Sequence, residues 1–288
     1  MEKTNQKLLP LSSDIVFKRV FSREGTEDIL KDFLEAILNI KIKKVEVKNP
    51  ELPKNIYDEK AGVLDIKVEI DEQTICDVEM QVKDEYNVDK RSLKYAANLI
   101  EMQLKIGDQY TKLKKVIVIN ILKFNFYKRN GYHHIAHMKF EEINQNEYVD
   151  MGFIDEDELA TDDIEMHFIE LPKFKKKNPE TATKLEQWLW LIEGEGEKIK
   201  MAKSKNEKIK EAINLIKEVS MDDKEWQMYE SRQRWIADIK TDMICAKEEG
   251  AKAKSLEIAK KMLKKELPID MICEITQLTK EEIEKIEK

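Results

Sequence analysis

The segment Gly62–Lys83, GVLDIKVEI-DEQ-TICDVEMQVK, decides the fold. Two alternating runs flank the short connection Asp71-Glu72-Gln73, the pattern of a β-hairpin. In the first run the even positions Leu64, Ile66, Val68 and Ile70 are apolar, and Val63, Asp65, Lys67 and Glu69 take the odd ones. In the second, Cys76, Val78, Met80 and Val82 alternate with Asp77, Glu79, Gln81 and Lys83. Successive side chains on a strand point to opposite faces. If the apolar faces share a core, the odd residues gather on one side. That side then holds Asp65, Glu69, Asp77 and Glu79 with Lys67, Gln81 and Lys83.

Several carboxylates on one sheet face repel unless a cation sits among them. Two readings of the alternation stand. One is a solvated amphipathic hairpin whose acids pair with Lys67 and Lys83. The other is a site for a divalent cation such as Mg²⁺, which prefers oxygen ligands, activates water and offsets charge on a phosphate.

Around the hairpin the pattern is α/β. Thr26 followed by Glu27 and Asp28 is a helix start, and Ile29, Leu30, Phe33, Leu34, Ile37 and Leu38 recur at helical spacing, which predicts a helix over 27–39. Lys43–Lys48 reads as a short strand. Residues 87–106 fit a helix with Leu93, Ala97, Ile100 and Leu104 on its inner face. Val116–Leu122 is apolar except for Asn120, which predicts a central strand buried on both faces. His134–Phe140 and Glu165–Leu171 read as strands on either side of an acidic loop, Asp155–Glu165. From Pro179 onward helix formers dominate. A helix capped by Ser220 is expected to run to Gly250 and to continue as helix over 251–267, and short helices to begin at Pro268 and Thr279, the latter with Glu282 as a capping box. The boundary between an α/β domain, 1–172, and an α-helical region, 173–288, is placed near the basic stretch after Pro172.

Composition sets limits. The 288 residues carry 51 basic and 58 acidic side chains, a net charge of −7, which disfavours a protein that coats nucleic acid generically. Much of the excess is local, because Asp155–Glu165 holds seven acids and no base. Three cysteines without a CxxC pair argue against a disulfide framework or zinc ribbon. The first residues lack the apolar segment of a signal peptide, and no run approaches the roughly 20 residues a bilayer requires. A soluble, cytoplasmic protein is expected. His133, His134 and His137 have no carboxylate among them in sequence and read as surface or turn residues. The four tryptophans of the helical half read as packing residues.

The motifs carry a resemblance. Asp65, thirteen intervening residues, then Glu79-Met80-Gln81 resembles the D…ExQ variant of the PD-(D/E)xK nuclease site. Ser13-Asp14-Ile15-Val16-Phe17-Lys18 with Phe21, then the 27–39 helix, resembles the opening of the Rpn-type recombination-promoting nuclease/putative transposase family. Asp77-Val78-Glu79-Met80-Gln81, Arg91 with Tyr95, Gly107 with Tyr110, Met228-Tyr229-Glu230 and Glu249-Gly250 continue it in order.

The resemblance implies a restriction-endonuclease-like core, a mixed sheet flanked by helices, with an α-helical C-terminal extension. It implies a Mg²⁺- or Mn²⁺-dependent DNA endonuclease linked to recombination or transposition, with Asp65 and Glu79 as metal ligands. Gln81 stands where the wider superfamily has a catalytic lysine, and its amide is expected to orient a water or phosphate oxygen. Lys67 is the candidate for the missing charge. Asp14, Arg91 and Tyr95 are added as further site or DNA contacts, although Asp14 also suits a role at the start of the first helix. A homodimer is expected, because cutting both strands of a duplex takes two sites. The alternative is a catalytically degenerate fold that binds DNA or a partner. The final short helices resemble the end of a helix-turn-helix and equally suit oligomerisation or end-packing.

Overall fold

The computed structural model describes residues 8–48, 66–82, 87–139, 143–144, 147–148, 159–175, 182–194 and 206–286. Its strands are β1 (Val45–Val47), β2 (Ile66–Ile70), β3 (Thr74–Gln81), β4 (Lys115–Leu122), β5 (His133–Lys139), β6 (Ile143–Asn144), β7 (Glu147–Tyr148) and β8 (Leu159–Glu170). Six of them form one mixed sheet in the order β1-β2-β3-β4-β8-β5; β6 and β7 pair separately. The β3–β4 and β4–β8 pairs are parallel and the others antiparallel. The hairpin and the central strand are therefore as the sequence predicts, and β4 is buried along seven of its eight residues.

One face of the sheet packs on α1 (Asp14–Phe21), α2 (Glu27–Leu38), α4 (Lys184–Glu193) and α5 (Glu207–Met221). The stripe Ile29, Leu30, Phe33, Leu34 and Ile37 is the buried side of α2. Phe33 stacks on Phe21 at 4.7 Å between ring centroids, and Trp188 meets both rings at 5.4 and 5.5 Å. The Trp188 indole N–H donates to Asp32 Oδ2 at 2.9 Å, which satisfies the one polar group this ring brings into the core. Thr183 and Glu186 close a reciprocal capping box that starts α4. The change in composition after Pro172 thus falls within the first of two compact units, Met1–Tyr229 and Glu230–Lys288.

The other face is covered by α3 (Val88–Glu101), whose buried residues are Val88, Ser92, Ala96 and Leu99. This corrects the inner face expected from Leu93 and Ala97: both are exposed, Leu93 by 54 %. The small Ser92 and Ala96 face the sheet instead, and they let the helix approach a polar residue in β4.

Three further expectations are revised. The acidic run is not wholly a loop, since β8 begins at Leu159 and carries Asp162, Asp163 and Glu165. The helix expected to continue past Gly250 to Leu267 is α6 (Asp223–Leu263), which ends short of that residue. The cap at its start is Asp222, whose Oδ1 accepts from Lys224 N at 2.8 Å; the Ser220 hydroxyl bonds back to Ile216 O. Within the second unit, Ala259 packs with residues of α7 (Ile269–Thr276) and α8 (Lys280–Glu284), around Ile272, Leu278 and Ile283. The Thr279–Glu282 capping box has both its bonds.

Candidate active site

Residues paired across neighbouring strands share a face, so the register sorts the polar side chains. One row is Glu79, Asn120, Phe168 and His134; the next is Gln81, Leu122 and Glu170. Asp77 pairs with Lys67 on one side and Val118 on the other. All of these lie on the α3 face. Asp77, Glu79 and Gln81 are 2 %, 1 % and 4 % exposed, so this side of β3 is no solvated surface.

Burial of polar groups demands partners. The Gln81 Nε2 group donates to Glu79 Oε2 at 2.8 Å and lies 3.3 Å from Asn120 Oδ1. The Asn120 Nδ2 group donates to Ser92 Oγ at 2.9 Å and to the His167 carbonyl at 3.1 Å. This chain of amides ties α3, β3, β4 and β8 together and fixes which way Gln81 presents its oxygen. That Oε1 is buried and has no hydrogen-bond partner among the described residues. Arg91, on the first turn of α3, brings Nη2 to 3.9 Å from Glu79 Oε2. Tyr95 follows one turn later and is half-buried.

The structure therefore brings together Glu79, Gln81 and Arg91, with Asp77 and the half-buried Lys67 alongside on the same sheet. Asp65 and Lys83 lie outside the described residues. Asp14 is the first residue of α1, and its side chain is likewise outside them. Glu69 belongs to other partners: Lys114 and Lys48 bond its carboxylate and hold it below its usual range. His134 does meet a carboxylate, Glu170 Oε1 at 3.4 Å, which the sequence spacing of the histidines did not reveal. Glu170 is fully buried and also accepts from Phe126 N at 2.6 Å and from Lys173 Nζ, so it secures the segment after β4. Asn120 and Ser92 were missed as site residues. The signal for Asn120 was present, as the one polar interruption in an apolar strand.

A family model for PD-(D/E)XK nuclease family transposases matches residues 11–246. The chain belongs to that family. Comparison with curated proteins gave no match, and neither did comparison with solved structures. The match runs from the segment before α1 into α6 and includes every strand of the sheet. A six-stranded mixed sheet flanked by helices, followed by C-terminal helices, fits the PD-(D/E)XK nuclease fold. Glu79 and Gln81 both lie on β3, within the matched range. No described helix is long and apolar enough to cross a membrane.

Proposed function

We propose that this PD-(D/E)XK family chain is a metal-dependent DNA endonuclease whose site is built on Glu79 and Gln81. The observation that carries the reading is the buried Gln81 Oε1, which has no hydrogen-bond partner among the described residues, beside the Glu79 carboxylate. Leaving a buried acceptor unpaired costs about 1–3 kcal/mol, so such an atom is expected where a ligand completes the site. The donors on this face are oxygens, from carboxylates and an amide, and such a set suits Mg²⁺ or Mn²⁺. Asp65 is the second proposed ligand. Its assignment rests on the D…ExQ spacing to Glu79-Met80-Gln81 in the sequence.

When bound, the cation would supply a more acidic water and a counter-charge for the phosphate. The chain's own residues do the rest. Glu79 and Asp65 hold the cation. Gln81 is fixed by its bond to Glu79 and orients an oxygen of water or phosphate; being uncharged, it carries no proton in transfer. Arg91 is close enough to share its charge between Glu79 and a phosphate, and its planar fork suits the latter. Lys67 supplies the positive charge that a lysine at position 81 would give. Asp14 and Tyr95 are assigned as flanking contacts to DNA. The substrate class follows the family, and a homodimer acting in the cytoplasm on recombining DNA is the setting we assign. Residues 173–288 would extend the DNA or dimer contact.

The test is cleavage of supercoiled plasmid with Mg²⁺ or Mn²⁺. The parent chain is expected to nick or linearise it, and Glu79→Gln and Asp65→Asn to be inactive while still folded. Equal cleavage by Asp65→Asn would remove Asp65 from the site. The second reading is a degenerate nuclease fold that binds DNA without cutting it, and the glutamine at position 81 is what favours it. It predicts metal and DNA binding with no cleavage by any of these chains.

A further inference from the structure

The opposite face of the sheet carries a second polar cluster. Cys76, Ile117, Glu165 and His137 form one cross-strand row, and His167 lies in the row beside it. Ile117 belongs to the α1–α2 core, so these side chains point away from α3 and from Glu79. The β5–β8 ladder then slips. His137 faces Glu165, but Met138 faces Thr161, which leaves residues 162–164 outside that ladder. Such a bulge re-aims side chains, and here it brings Asp162 back towards Glu165. One ligand atom from each of His137, Asp162 and Glu165 lies within 4.8 Å of the others.

We propose that His137, Asp162 and Glu165 form a zinc site, distinct from the nuclease site and on the other side of the sheet. One imidazole and two carboxylates are zinc donors, whereas Mg²⁺ avoids imidazole. Three protein ligands leave the fourth position of a tetrahedron to water. A supporting shell is already in place. Glu165 Oε1 bonds His167 Nε2, and His167 Nδ1 bonds His133 Nε2 at 2.9 Å, so the Glu165 carboxylate is held in orientation. Lys115 fills the cation position in the metal-free chain. Its Nζ lies 2.8 Å from Asp162 Oδ1 and 2.9 Å from Glu165 Oε2. Zinc must displace this ammonium group, so the lysine sets the affinity. A bound ion would fasten β5 to β8 where their ladder is irregular.

The experiment is zinc titration by calorimetry and by NMR of the imidazole rings, using the full chain with Glu79→Gln to silence the other site. Only four histidines are present, so each ring can be followed. Zinc is expected to shift the His137 resonance and leave that of His134, on the opposite face, in place. His137→Ala and Asp162→Asn are expected to weaken binding at least about tenfold. Both side chains are partly exposed, Asp162 by 65 %, so the fold tolerates the changes. Lys115→Met is expected to tighten binding about tenfold or more, by removing the competing cation. Saturating Mg²⁺ is expected to leave the His137 resonance where it was. An unmoved His137 resonance at saturating zinc, or unchanged affinity in His137→Ala and Asp162→Asn, would overturn the proposal. Cleavage by the unmodified Glu79 chain is read separately, so failure here leaves the nuclease reading intact.

Discussion

Gln81 donates its amide to Glu79, Nε2 to Oε2 at 2.8 Å, and both side chains are buried. The bond makes position 81 sensitive to charge as well as to size. Gln81→Ala removes the donor and is expected to destabilise the chain by about 1–3 kcal/mol in urea unfolding. Gln81→Glu places two carboxylates side by side, which raises the proton affinity of the pair. It is therefore expected to be more damaging at pH 8 than at pH 5. An equal loss at both pH values would show that the two side chains do not interact.

Asn120 joins Gln81 to Ser92, a hydrogen-bonded link from β3 to α3. Residues in one network do not contribute additively. Asn120→Ala and Ser92→Ala, measured singly and together by denaturant unfolding, are expected to show a coupling energy of roughly 0.5–3 kcal/mol. Strict additivity would mean that the Asn120–Ser92 bond does not couple β4 to α3.

Acid should weaken the metal-free protein in two overlapping stages. Burial and the neighbouring His167 and His134 push His133 down from 6.5 to about 4. The folded chain then binds fewer protons than the unfolded one, so stability is full above pH 6.5 and falls as the pH drops towards 4. Burial pushes Glu165 up, but hydrogen bonds from His167 and Lys115 outweigh it and hold its carboxyl at about 2, below 4.5. That contribution is present above pH 4.5 and is lost as the pH falls to 2. With a chelator present, His133→Asn is expected to flatten the stage between pH 6.5 and 4 and leave the lower one. Unchanged curvature in that interval would place the titration elsewhere.

Arg91 tests the substrate face without requiring cleavage. In EDTA, Arg91→Ala is expected to weaken binding to duplex DNA and to lower the slope of log K against log salt by about 1. Arg91→Lys keeps the charge and is expected to retain the slope while losing part of the affinity, because the planar fork is gone. Identical salt dependence in parent and Arg91→Ala would put Arg91 outside the DNA contact.

Much of this was written in the alternation of the hairpin. The faces of β2 and β3, the central position of β4 and the buried stripe of α2 all follow from periodicities of 2 and 3.6. The inner face of α3 did not, because Ser92 and Ala96 are small or polar. Their burial answers to Asn120 across the interface, which a one-dimensional pattern does not contain. The histidines failed for a similar reason. His134 and His137 find Glu170 and Glu165 on β8, some thirty residues away along the chain, and only the sheet order makes them neighbours. Asn120 was visible but looked like a blemish in a strand. The Glu79–Gln81 pairing was legible as a motif, and its bond geometry was not.

The three parallel strands β3, β4 and β8 end at Gln81, Leu122 and Glu170, on one edge of the sheet. The segment that follows β4 is anchored there by a main-chain bond from Lys123 N to Gln81 O. On the proposed nuclease reading, substitutions in the segment after β4 would change what meets the protein there without touching the register that aligns Glu79 with Asn120.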